Sequence, residues 1–92
     1  MSKRENMFKM VIGLLVKIQK ISGRKVLKID EETVPIGGLP GFDSLNGLEL
    51  TLMLPDKVAW SGKSLCVSDD GKRALSVKEM VERLLQSNTK TD

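Results

Sequence analysis

A serine stands in the stretch Gly41-Phe42-Asp43-Ser44-Leu45, where a Gly/Pro-rich segment gives way to a Leu-rich run. Serine acts as a nucleophile only when a base takes its proton, and this chain has no histidine and a single cysteine, Cys66. The flanking glycines, Gly41 and Gly47, make a G-x-x-S-x-x-G spacing, unlike the G-x-S-x-G of a hydrolase elbow. Hydrolase chemistry is thereby excluded, and Ser44 reads as a hydroxyl that another enzyme modifies. The chain is expected to be no enzyme itself.

Other chemical signals fail on spacing. Gly62-Lys63-Ser64 has the end of a phosphate loop, but Lys57 stands where its first glycine belongs. Asp30, Glu31 and Glu32 are too few oxygens for a hard cation, and read as solvated loop charges. With neither His nor a second Cys there is no zinc set and no internal disulfide, so a reducing, cytoplasmic setting is expected. The apolar run Met10 to Val16 is only seven residues long and is closed by Lys17 and Lys20. It lacks a small-x-small cleavage site and is too short to span a bilayer.

Charge is segregated along the chain. Residues 1–29 carry eight Lys/Arg against Glu5, a balance of +7, whereas residues 30–56 carry six carboxylates and no base. Residues 57–92 return to +2, and the whole chain is at +3 with a pI near 9.2. Ser44 thus lies in an acidic window suited to basic partners. With two Phe, one Trp and no Tyr, Leu, Val, Ile and Met must fill the interior.

Those aliphatic residues repeat mostly at helical spacing. Met7, Val11, Leu14, Leu15, Ile18 and Ile21 predict a first helix over about 3–21, ended by Ser22-Gly23. Gly13 within it suggests the close approach of a neighbouring helix. Residues 24–42 form a long connection with a short extended piece at 26–29, kept ordered by Val34, Ile36, Leu39 and Phe42. A second helix runs from Asp43 or Ser44 to Leu54, with Leu45, Leu48, Leu52 and Met53 on one side. Pro55 to Ala59 is a brief third segment, 60–70 is irregular, and Ser68-Asp69-Asp70-Gly71 is a turn. Ser76-Val77-Lys78-Glu79 has capping-box spacing, and Val77, Met80, Val81, Leu84 and Leu85 stripe the last helix. Residues 87–92 read as a frayed tail. The expected fold is one all-α domain over 1–92, with its core at about 4–86: three main helices, a minor segment and a long ordered loop. Burial is expected at Val11, Leu14, Leu15, Ile18, Leu48, Val77, Met80, Val81 and Leu84.

In this order of parts, the chain resembles the acyl carrier proteins. The local match is Leu39 to Leu54, LPGFDSLNGLELTLML, in which the family's Asp-Ser-Leu falls on Asp43, Ser44 and Leu45, and its frequent downstream Glu on Glu49. The resemblance implies that Ser44 receives phosphopantetheine, donated by coenzyme A through a phosphopantetheinyl transferase, and that the arm carries acyl groups as thioesters. It further implies that Asp43, Leu45, Leu48 and Glu49 face that transferase and acyl-activating or acyl-transferring enzymes, that core-facing leucines open a sleeve for the acyl chain, and that the protein is a monomer. The phosphodiester would lie against the free amides and positive end of the second helix. The basic pI, Thr51-Leu52-Met53 in place of further acids, Pro55, and the segment 68–75 depart from the family's common pattern. They point to a specialised carrier for a dedicated acyl, lipid or secondary-metabolite pathway.

The competing reading is a small basic helical module that contacts nucleic acid or an acidic protein, with Ser44 only a helix cap. Against nucleic acid, the N-terminal Lys and Arg residues are not interleaved with stacking aromatics, and no recognition motif is present.

Overall fold

Ser2 opens the first helix because its hydroxyl accepts the Glu5 N–H while the Glu5 carboxylate returns a bond to the Ser2 amide, a reciprocal capping box. A computed structural model of the chain describes residues 2–60 and 63–88, and Ser61, Gly62 and the end of the expected tail, 89–92, lie outside the described residues. Helix α1 spans Lys3–Ile21, α2 is the single turn Pro35–Gly38, α3 spans Ser44–Leu52 and α4 spans Val77–Ser87. The protein is mostly helical. Among the described residues the one β pairing is an isolated antiparallel bridge, Val67 with Ala74.

The apolar stripes of α1 and α4 exist to be removed from water, and they are removed against each other. Met7, Val11, Leu15 and Ile18 from α1 meet Val77, Met80, Val81 and Leu84 from α4, all buried. Helix α3 adds Leu50, and the connections add Leu39, Phe42, Leu65, Cys66 and Leu75. Loop residues supply so much of this core because three helices of 19, 9 and 11 residues leave an open side that only the connections can close.

The long connection is fixed by what it caps. The Val77 and Lys78 amides at the start of α4 have no partner in their own helix, and they donate to the carbonyls of Thr33 (2.8 Å) and Glu31 (3.0 Å). At the other end, Asn88 closes α4, its side-chain amide donating to Leu84 and Ala59 while its oxygen accepts the Ala59 N–H. Ser87 and Asn88 are therefore the end of a capped helix and not part of a frayed tail.

Several expectations need correction. Leu14 is only half-buried and Leu48 is exposed, so neither belongs to the closed core. Gly13 meets no neighbouring helix: a Cβ built on it finds nothing within 4 Å. Residues 26–29 run free of any strand, and Pro55 to Val58 is a hydrogen-bonded turn in place of a third helical segment. The short helical turn comes earlier, at α2, where Ile36 and Gly37 already leave helical dihedrals. Helix α3 stops at Leu52, two residues before the expected end, because the chain turns at Met53 ahead of Pro55.

The pattern of burial sets two opposite expectations for substitution. Leu15→Ala should lower unfolding free energy by about 2–5 kcal/mol by opening a cavity between α1 and α4. Gly13→Ala, in open space on the same helix, should raise it by about 0.5–1 kcal/mol. Urea titrations of the two variants read both, and a destabilised Gly13→Ala would restore the close helix contact.

Candidate functional site

Ser44 is the first residue of α3, exposed, and its hydroxyl makes no hydrogen bond among the described residues. What sets its position is the residue before it. Asp43 is the N-cap, its carboxylate accepting the amides of Leu45 (3.1 Å) and Asn46 (3.2 Å). Asn46 completes the box by accepting the Asp43 N–H at 3.1 Å. One expectation falls here: the α3 amides that were to receive a phosphodiester are already held by Asp43, so the field of the helix end remains but two of its donors do not.

Beneath the cap lies a polar cluster that the aliphatic stripes gave no hint of. Asn46 is nearly buried, and besides the Asp43 amide its oxygen accepts a hydrogen bond from Arg24 at 2.9 Å. Its side-chain nitrogen donates to Glu49 (3.1 Å), which ties that carboxylate to the start of the helix. Gln19, buried on α1, donates to the Pro40 carbonyl at 2.8 Å. Gly41 has φ of +69°, and a Cβ there would lie 2.7 Å from the Arg24 Nε. Glycine at 41 therefore serves both the left-handed turn and the passage of the Arg24 side chain. Two clues to this cluster were present in the sequence: Gln19 falls four residues after Leu15 on the buried stripe, and Asn46 falls three after Asp43, as a capping box requires.

This anchoring decides which way α3 faces. Asn46, Gly47 and Leu50 turn inward, and Leu45 (71% exposed), Leu48 (46%) and Leu52 (86%) turn out. Gly47 lets the segment after Lys63 come close: a Cβ would sit 3.1 Å from both the Cys66 Cβ and the Ser64 Oγ. Thr51 stitches the two together, donating to the Gly47 carbonyl and accepting the Leu65 amide at 2.9 Å. Between Ser44 and Leu48 on one side and Lys63, Val67, Ser68 and Asp69 on the other runs an open groove of about 270 Å³. Of the sequence-predicted site residues, Asp43, Ser44, Leu45, Leu48 and Glu49 all lie on exposed α3 surface or at its cap.

The far wall of the groove is pinned by Arg83 of α4. Its guanidinium donates to the carbonyls of Leu65 (3.1 Å) and Val67 (2.6 Å), pairs with Asp69 at 2.8 Å and lies 4.6 Å above the Trp60 ring. The pair with exposed Asp69 contributes little, whereas the carbonyl bonds hold an irregular segment that has few of its own. The Arg83 charge also acts on the one thiol. Burial pushes Cys66 up to about 12, against a smaller opposing pull from the Arg83 charge, so the thiol stays protonated and inert. Among the described residues no group of His, Cys, Asp and Glu could hold a metal ion.

Arg24→Met should remove a charge-assisted bond to Asn46 at a loss of about 1.5–3 kcal/mol and should speed amide exchange at Leu45 and Asn46 more than at Leu84. Uniform exchange would place the cluster outside control of the cap. For Cys66, the folded thiol holds its proton while the unfolded one loses it near 9, so its contribution to stability is complete below that pH and is lost as pH rises toward about 12. Denaturation curves of the wild type and Cys66→Ala should diverge over that window, and a thiol reagent at pH 8 should label only unfolded protein.

No protein-family model matches the chain, no curated protein matches it, and no solved structure matches it. Its function has to be argued from the residues at this end of the bundle.

Proposed function

We propose that the protein is an acyl carrier of specialised type, modified on Ser44 with phosphopantetheine. The observation that carries the reading is the placement of Ser44: an exposed, unpartnered hydroxyl at the first position of α3, held by its Asp43 cap at the end of an ordered loop, with an open groove beside it. Such a hydroxyl suits an incoming enzyme. It has no base of its own, so the proton must pass to a transferase as the serine oxygen bonds to phosphorus and the pyrophosphate bond of coenzyme A breaks.

The residues present fit the group. The arm would leave Ser44 into solvent or along the groove past Leu48 and Val67, and its terminal thiol would carry acyl groups as thioesters. Leu45, Leu48 and Leu52 supply an apolar ridge for partner enzymes, and Asp43 and Glu49 supply negative charge at its edge. Glu49 is held toward Asn46, so it presents a fixed charge. An order of long helix, ordered loop, short serine-led helix and closing helix agrees with a carrier bundle. The segment 63–75 occupies the side of the bundle where the groove lies.

Intact-mass measurement after co-expression with competent phosphopantetheinyl transferases tests this. The wild type should gain one phosphopantetheine, Ser44→Ala none, and buried Cys66 should stay unmodified. Glu49→Lys should slow the gain at low salt by weakening the acidic face. A wild-type mass unchanged by several transferases, or a gain that persists in Ser44→Ala, would sink the assignment.

A further inference from the structure

Three large apolar side chains stand exposed within seven residues at the end of α1: Ile21 (69%), Val26 (38%) and Leu27 (41%). Interspersed with them are Lys17, Lys20, Lys25 and Lys28, all exposed. None of these four ammoniums makes an ion pair or hydrogen bond among the described residues. No carboxylate occurs from residue 6 to residue 29, so nothing in sequence neutralises them. Arg24, the one arginine of the stretch, is withdrawn to Asn46. The patch is shaped by a helix-ending turn in which Gly23 (φ 70°) donates to Lys20 and Arg24 donates to Gln19.

We propose that this patch docks the protein on an anionic lipid surface, with the lysines among the headgroup phosphates and Ile21, Val26 and Leu27 in the apolar boundary beneath. Unpaired lysines beside exposed aliphatic side chains are the chemistry of interfacial binding. The observations favour lipid over the other polyanions. A nucleic-acid strand is held through stacking aromatics, and this patch has none. Planar recognition of protein carboxylates favours arginine, and here the arginine is turned inward. Gln19 bound to Pro40 and Arg24 bound to Asn46 place the patch at the same end of the bundle as the start of α3, so docking brings Ser44 close to the surface. The inference stands whether or not Ser44 is modified.

Co-sedimentation of the full chain with phosphatidylcholine vesicles, with and without about a third phosphatidylglycerol, tests it. Binding should require the anionic lipid and fall with added salt. Each lysine near such a surface is worth about fivefold in affinity, so Lys25→Gln with Lys28→Gln should weaken binding about 25-fold. Ile21→Ser with Leu27→Ser should weaken it about tenfold or more, whereas Lys57→Gln, beside Lys3 and Asn6 at the opposite end of α1, should change it less than about twofold. All five positions are exposed, and thermal melts monitored by circular dichroism establish that the variants fold. Absence of binding to anionic vesicles, equal binding to both vesicles, an unchanged Ile21/Leu27 variant, or tighter binding to duplex DNA than to the anionic vesicles would each overturn the proposal.

Discussion

The near-burial of one side-chain amide, Asn46, constrains the functional end of this protein more than any apolar contact does. Leaving such a group unpaired would cost about 1–3 kcal/mol, so each of its bonds has to be met by an element in the right place. The Asp43 amide supplies one, which fixes the entry of α3, and Arg24 supplies another, which fixes the chain leaving α1. The 21-residue stretch from Ser22 to Phe42 can then be long without being loose, because it is tied at Arg24 and Pro40 here and at Glu31 and Thr33 against α4. Ser44 owes its exposure to the same constraint. With Asn46 turned in, the residue two positions earlier on a helix of 3.6 residues per turn points away.

The core works on a different principle and at the other helices. Its energy comes from area removed from water between α1 and α4, which is non-directional, while direction comes from the few polar ties at helix ends. Arg83 links the two systems. It sits on α4, whose inner face is part of the core, and reaches carbonyls in the segment that walls the groove beside Ser44. A segment with a single β bridge keeps a defined shape because a charged donor satisfies its carbonyls.

How much of this could be read from residues alone depends on which principle governs each element. Helices α1 and α4 follow apolar spacing, and both were legible to within a residue, together with the Ser76 capping box and the Gly23 stop. The rotation of α3 was legible only in part: its leucines fall on one side by spacing, and Leu48 was expected both in the core and on the partner face, whereas Asn46, Gly47 and Leu50 are what face in. Leu48 illustrates the failure: hydrophobicity argued for burial, whereas the polar anchor Asn46, two residues before it and so on the opposite face of the helix, had already chosen the inward side. Gly13 failed for a related reason, since a helix glycine signals close approach only when something is there to approach. The exposure of Ser44 and Glu49 was legible from their polarity and place, and the Arg24–Asn46 contact, 22 residues apart in sequence, was not.

The Asp43 cap carries a chemical consequence for any anion attached at Ser44. By taking the Leu45 and Asn46 amides it converts the start of α3 from a donor site into a site already bearing a negative charge. A phosphodiester on Ser44 would feel the helix dipole, worth about 0.3–1 kcal/mol, and beside it an acidic neighbour that opposes it. The two effects oppose each other and two of the amides that could hold such a group are already taken by Asp43, so the protein has little means of clamping it against its own backbone. An attached arm would then be governed by the groove along Leu48 and Val67 and by partner surfaces outside the chain. That freedom suits the proposed carrier, whose cargo would have to be surrendered to one enzyme after another, and it follows from the same aspartate that caps α3.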